Sequence, residues 1–152
     1  MKPIFDTSVA RAMLGAALVY APLAYGSLGQ SASSIANDEA SMQAVSHASV
    51  AQAAYSVHTI TLPSGTVVRE YVAPNGIVFG VAWDGPTLPD LKTTLGAAFD
   101  RYVAASSTGR GNPLAVSADD LVVYSGGHLR AFAGHAYLPA ALPAGVNASV
   151  VQ

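Results

Sequence analysis

Few side chains of this chain combine the type and spacing that chemistry near neutral pH requires. Four histidines, His47, His58, His128 and His135, are the candidates for a general base or a metal site, because imidazole changes charge close to neutrality and binds metals when neutral. His128 and His135 stand seven apart, so a regular strand turns them to opposite faces and only a bulge at Gly134 restores a shared one. His58 has to join them from a different strand. Asp119 and Asp120 could add a carboxylate or ligate calcium, but neighbours on an extended chain diverge, and no Asp-x-Asp-x-Asp-Gly loop surrounds them. There is no His-Glu-x-x-His, no cysteine and no Gly-x-Ser-x-Gly elbow. Ser125-Gly126-Gly127-His128 has the residue types of a hydrolase but the spacing of a hairpin, and Gly109-Arg110-Gly111 lacks the third glycine of a dinucleotide site. Neither a metal nor a cofactor is expected.

A second group suits binding better than catalysis. Arg69, Tyr71 and Arg130, with aromatic residues nearby in sequence, have the composition of a contact surface. Phe79, Trp83 and Phe132 are expected in the core, since a domain of this size needs large apolar anchors.

The elements that must carry these residues are legible from periodicity. Stretches 55–62, 66–73 and 77–83 are rich in Val, Ile, Thr, Tyr and Phe, and are separated by Pro63-Ser64-Gly65 and Pro74-Asn75-Gly76. Glycine and asparagine accept the positive φ of tight connections, so these are three strands joined by hairpin turns. On the third, Ile77, Phe79, Val81 and Trp83 are expected to share the core face. The second carries Arg69 on one face and Glu70 on the other, which predicts a strand near an edge. Leu88, Leu91, Leu95, Phe99, Tyr102 and Val103 recur at helical spacing, predicting one amphipathic helix over 88–105 with Thr87 as its cap and Gly96 in close contact with the sheet. After the loop at 108–113, Asp119-Asp120 leads into a second hairpin that turns at Ser125-Gly126-Gly127. The proline-punctuated segment 138–146 is expected to be extended and packed, ahead of a tail over 147–152. The order β-β-β-α-β-β predicts an α+β domain over 55–146, an antiparallel sheet packed against one helix.

Composition bounds the rest. The chain has 152 residues, 11% of them charged and 51% hydrophobic, with 7 Lys+Arg against 9 Asp+Glu and no Cys. So sparse a basic complement argues against nucleic-acid binding. The first 26 residues run from Lys2 and Arg11 through an apolar stretch over 12–23 to Ala24-Tyr25-Gly26, the order of a secretory signal with cleavage after Gly26. The apolar run is shorter than the roughly 20 residues a membrane-spanning helix needs, so no stable span is expected after cleavage. Residues 27–54, rich in Ser and Ala, predict a flexible leader with at most a weak helix around 38–48.

The segments over 62–72, 76–83, 85–91 and 125–132, in that order, resemble a family of bacterial exported proteins catalogued as domain-of-unknown-function family 2844. The resemblance spans about 27–146. It implies export and a single domain and brings no catalytic residues with it. The expectation is a non-catalytic periplasmic or secreted accessory protein that binds a protein partner or small ligand through an open sheet face or edge. Two alternatives stand beside it: a small exported hydrolase or metal-dependent enzyme using His128 or His135 with Asp119 or Asp120, and an apolar-ligand carrier with a cavity lined by Leu95, Phe99, Phe79 and Trp83.

Overall fold

The computed structural model describes residues 27–106, 114–118 and 120–152. Within them the chain is α+β, built on one antiparallel sheet of seven strands: β1 Ser46–Ala51, β2 Ser56–Thr61, β3 Val67–Val72, β4 Val78–Gly85, β5 Leu114–Ala118, β6 Leu121–His128 and β7 Ala131–Tyr137. Their spatial order is β1-β2-β3-β4-β7-β6-β5. The first four strands form a meander, the chain crosses to the far edge, and the last three return to close on β4.

The hairpins at 63–65 and 74–76 form as the turn residues require. Leu62 and Ala73 each accept from the glycine three residues on and donate to the carbonyl four residues on, and Gly65 and Gly76 take φ of 87° and 81°. Each is a three-residue loop closed by a left-handed glycine. The second sheet half turns elsewhere than expected. Ser125, Gly126 and Gly127 lie inside β6, and the connection is Leu129-Arg130, with Arg130 at φ 69°. Glycine here serves close approach rather than turning, since a Cβ on Gly127 would stand 2.3 Å from the Ala131 carbonyl oxygen.

The sheet is covered on both faces. One face packs Ile60, Val68, Val78, Val81, Trp83, Leu121 and Val123 against three helices: α1 Ile35–Ser41, α2 Leu91–Leu95 and α3 Phe99–Ser106. The opposite face packs Tyr71, Phe79 and Ala82 beneath the C-terminal segment, with Val151 buried at its centre. The single helix expected over 88–105 is therefore two. Asp90, not Thr87, caps α2, accepting from the Lys92 amide and the Thr93 hydroxyl. Thr87 is engaged instead with Thr66 and Ser64. Gly96 at φ 55° ends α2, and a 3-10 turn over Gly96–Ala98 resets the helical phase. Val103, at an apolar position of an unbroken helix, is therefore left exposed, and Leu88 is exposed because α2 starts only at Leu91.

Further expectations are corrected. Phe79 does not share the face of Val81 and Trp83, because the β3–β4 register shifts between Tyr71 and Val72, and one extra residue in β4 turns Phe79 to the other side. β3 is interior, flanked by β2 and β4. Residues 27–54 hold Ser27 and Leu28 in the core, α1 and β1. Gly29 and Gln30 exchange backbone hydrogen bonds with Val78, so this segment is pinned to the sheet. Residues 138–146 are packed, with Ala141, Leu142 and Val146 against the core, while 147–152, expected as a tail, forms a 3-10 turn over Ala148–Val150 and buries Val151. Among the described residues no helix is long and apolar enough to cross a membrane. The expected signal segment, 1–26, and the loop at 108–113 lie outside the described residues. Leu95 is fully buried where α2 meets the sheet, and Leu95→Ala should cost about 2 to 5 kcal/mol, read as a lower midpoint in urea unfolding.

Candidate functional site

The polar residues gather where the sequence showed least, along β1, β2 and α1. The β1–β2 register sets Ser49 opposite His58 and His47 opposite Ile60, so His47, Ser49 and His58 share the helix-bearing face near the sheet edge. Glu39, on α1, reaches down to them. The four form a chain: Glu39 Oε1 is 2.7 Å from His47 Nδ1, His47 Nε2 is 3.1 Å from His58 Nδ1, and His58 Nε2 is 3.4 Å from Ser49 Oγ. With both rings neutral the polarity is fixed. Glu39 accepts the Nδ1 proton of His47, His47 Nε2 accepts that of His58, and His58 Nε2 is left to accept from the Ser49 hydroxyl. Burial, and then the neighbouring His47 ring, push His58 below the usual histidine range, which favours this neutral chain. It can relay a proton. Consecutive amides of a regular strand point to opposite edges, so β1 by itself does not aim two of them at an oxyanion beside Ser49.

Beneath the histidines lies a buried pair of carboxyl groups. Ile35 and Asp38 are one helical turn apart on α1, and both face the sheet. Glu70 projects from β3 into the same space with no solvent-accessible surface. Ser27 bridges them. Its backbone nitrogen donates to Asp38 Oδ2 at 2.9 Å, its hydroxyl is 2.5 Å from the same oxygen, and the hydroxyl also meets Glu70 Oε1. Glu70 Oε2 has no hydrogen-bond partner. Burial, opposed by the Ser27 hydroxyl and reinforced by the negative charge of Asp38, raises the Glu70 carboxyl to about 8. Burial likewise raises Asp38.

The residues singled out from the sequence do not assemble. Arg69 forms an ion pair with Asp84 at 2.6 Å on the opposite face, partly exposed, a contact worth little in water. Tyr71 is buried, its hydroxyl donating to the Gln152 carbonyl at 2.7 Å, and burial raises its pKa. Arg130 sits at the exposed β6–β7 turn, five residues along β7 from His135, which is about 16 Å of strand. These three therefore make no common surface. His128 ends β6 in solvent, while His135 is stacked between Tyr124 and Tyr137, its pKa lowered by burial. Asp120 is held by Arg101, and Asp119 lies outside the described residues. The enzyme constellation is thus dispersed, and the separation of Phe79 from Leu95 and Trp83 by the sheet means these residues cannot line one cavity. Among the described residues no three His, Asp or Glu side chains are placed to hold a metal ion.

The family described as "Protein of unknown function (DUF2844)" matches residues 24–151. Neither the curated proteins nor the solved structures gave a match.

Proposed function

The chain belongs to the DUF2844 family, and from that premise we propose that it is an exported accessory protein which binds a protein partner by accepting one of its strands along β1. The observation that carries this reading is the condition of that edge. β1 is a terminal strand of the sheet, all six of its residues are exposed, and its pairing with β2 runs without a bulge. Natural edges are blocked by lysine, proline, inward charges or irregular geometry. Ser46-His47-Ala48-Ser49-Val50-Ala51 has no Lys, Arg, Asp, Glu or Pro. Such an edge offers a row of amides and carbonyls to an extended peptide, with alternate side chains on either face to discriminate among partners. His47 and Ser49 would read one face of the added strand and Val50, which is 55% exposed, the other. Export is supported by the basic, apolar and small-residue order of the first 26 residues.

The test uses the direction of single amides. Gln52 donates to the Tyr55 carbonyl, and the β1–β2 register then turns the amides of Ala48 and Val50 toward β2 and those of His47, Ser49 and Ala51 outward. Ser49→Pro removes an outward donor without removing a ladder bond, whereas Ser49→Ala keeps the donor and removes only the hydroxyl. In pull-downs of the exported form, a partner retained by the wild type and Ser49→Ala should be lost by Ser49→Pro. Retention of every partner by a folded Ser49→Pro chain would exclude the edge as the binding site.

A further inference from the structure

Ser27 is fully buried, and it is the residue that cleavage after Gly26 would place first. Its nitrogen already lies 2.9 Å from Asp38 Oδ2, and its hydroxyl joins Asp38 to Glu70. Two carboxyl groups so close and so buried require a cation or a shared proton. Among the described residues the salt bridges join other groups, Glu39 to His47, Arg69 to Asp84 and Arg101 to Asp120. The charges that act on the pair from the surrounding elements are themselves acidic, Glu39 on α1 and Asp90 ahead of α2. The neighbouring rings are His47 and His58, and His58 is held toward its neutral form. Proton counting sharpens the point. The Ser27 hydroxyl has one proton and two carboxyl contacts, so while residue 27 has an ordinary amide, one of the two acids must stay protonated to fill the second. Even then Glu70 Oε2 is unpartnered.

We propose that the α-ammonium group created at Ser27 by removal of residues 1–26 is the missing counter-ion of Asp38 and Glu70, so that processing completes the core of this domain. Hydrolysis of the Gly26–Ser27 peptide bond consumes one water, leaves a carboxylate on Gly26 and an amine on Ser27, and the amine takes up a proton. An ammonium group offers three donors where the amide offered one. One continues the contact to Asp38 Oδ2, and the others are available to Glu70, including the oxygen that has no partner. The unprocessed chain would then be a less stable form of the same fold, and stability would rise on the far side of the export step.

This inference rests on the export reading, and the test separates the two. The exported protein is purified and its first residue determined by mass spectrometry; the full chain is prepared without export. Glu70 is followed by carbon NMR of its side-chain carboxyl group as pH is varied. The exported chain should begin at Ser27, and its Glu70 should ionise at least about one pH unit lower than in the unprocessed chain. Its unfolding midpoint should be higher by about 5 °C or more, and Glu70→Gln should remove most of that difference. A processed chain with a different first residue leaves export standing and overturns the inference, whereas a chain that keeps Met1 defeats both. A chain that begins at Ser27 but whose Glu70 titrates as in the unprocessed form leaves export standing and overturns the ion pair. Should the unprocessed chain fail to fold, the processed chain is acetylated on its α-amine while denatured and then refolded. An unchanged midpoint after acetylation overturns the proposal equally.

Discussion

Trp83→Ala should lower the stability of the domain by about 3 to 5 kcal/mol, enough to unfold much of the protein at ordinary temperatures if the fold has the usual margin of about 5 to 15 kcal/mol. Trp83 is 2% exposed and lies at the centre of the sheet, where β4 pairs with β3 on one side and β7 on the other. Its ring is seated on Gly134, directly across from it in β7. A Cβ at residue 134 would stand 2.4 Å from Trp83 Cζ2 and 2.5 Å from the Tyr124 carbonyl oxygen. The pair is thus a large residue fitted to the absence of a small one, and neither side can change size freely. Chemical denaturation followed by circular dichroism checks the alanine variant. A midpoint close to that of the wild type would show that the ring does not hold the two halves of the sheet together.

The unprocessed chain should lose stability as pH rises from about 5 to about 8. Glu70 has an ordinary value of 4.5 and is raised to about 8 in the folded protein, so between those limits the folded state holds a proton that the unfolded state has released. Stability is fully present below 4.5 and is lost as pH rises through the folded value. Asp38, raised in the same sense, adds to the slope at its acidic end. His58 acts the other way, because its lowered value favours the folded state above the ordinary histidine range and costs stability as pH falls through that range. Its partial exposure makes it the smaller contributor. The expected net result is a fall in the thermal midpoint of order 10 °C across the window, and Glu70→Gln, which has no proton to lose, should flatten it. A midpoint that climbs steadily from pH 5 to 8 in the unprocessed wild type would contradict the buried carboxyl pair.

Local chemistry explains which parts of this architecture could be read without coordinates. The turns at 63–65 and 74–76 announce themselves because only glycine accepts the left-handed conformation cheaply, and β2, β3 and β4 follow from the apolar runs between them. The same reasoning misplaced the β6–β7 turn, because glycine signals both turns and close approaches, and Gly127, inside β6, belongs to the second kind. β1 escaped notice because Ser, Ala and His have weak strand preference, and the strand forms by pairing with β2. Gly96 was visible inside the helical pattern, but its positive φ depends on where the chain must go next.

The candidate site was less legible than the fold. Glu70 on an alternating strand reads as a solvent-facing charge, and nothing near it in sequence says otherwise. Its burial depends on Asp38, 32 residues away, and on Ser27, 43 residues away. His47 and His58 are 11 apart, and only the hairpin register makes them neighbours.

The amino-acid order by itself determined the class of structure, an antiparallel α+β domain, and the position of its most marked turns, since these follow from backbone preference and the alternation of apolar side chains. Tertiary structure alone decided which charges are buried, which edge is bare and which nitrogen meets the acidic pair. Those outcomes arise from contacts between distant segments, whose energies depend on desolvation and on separations of a few ångströms, and no local preference encodes either.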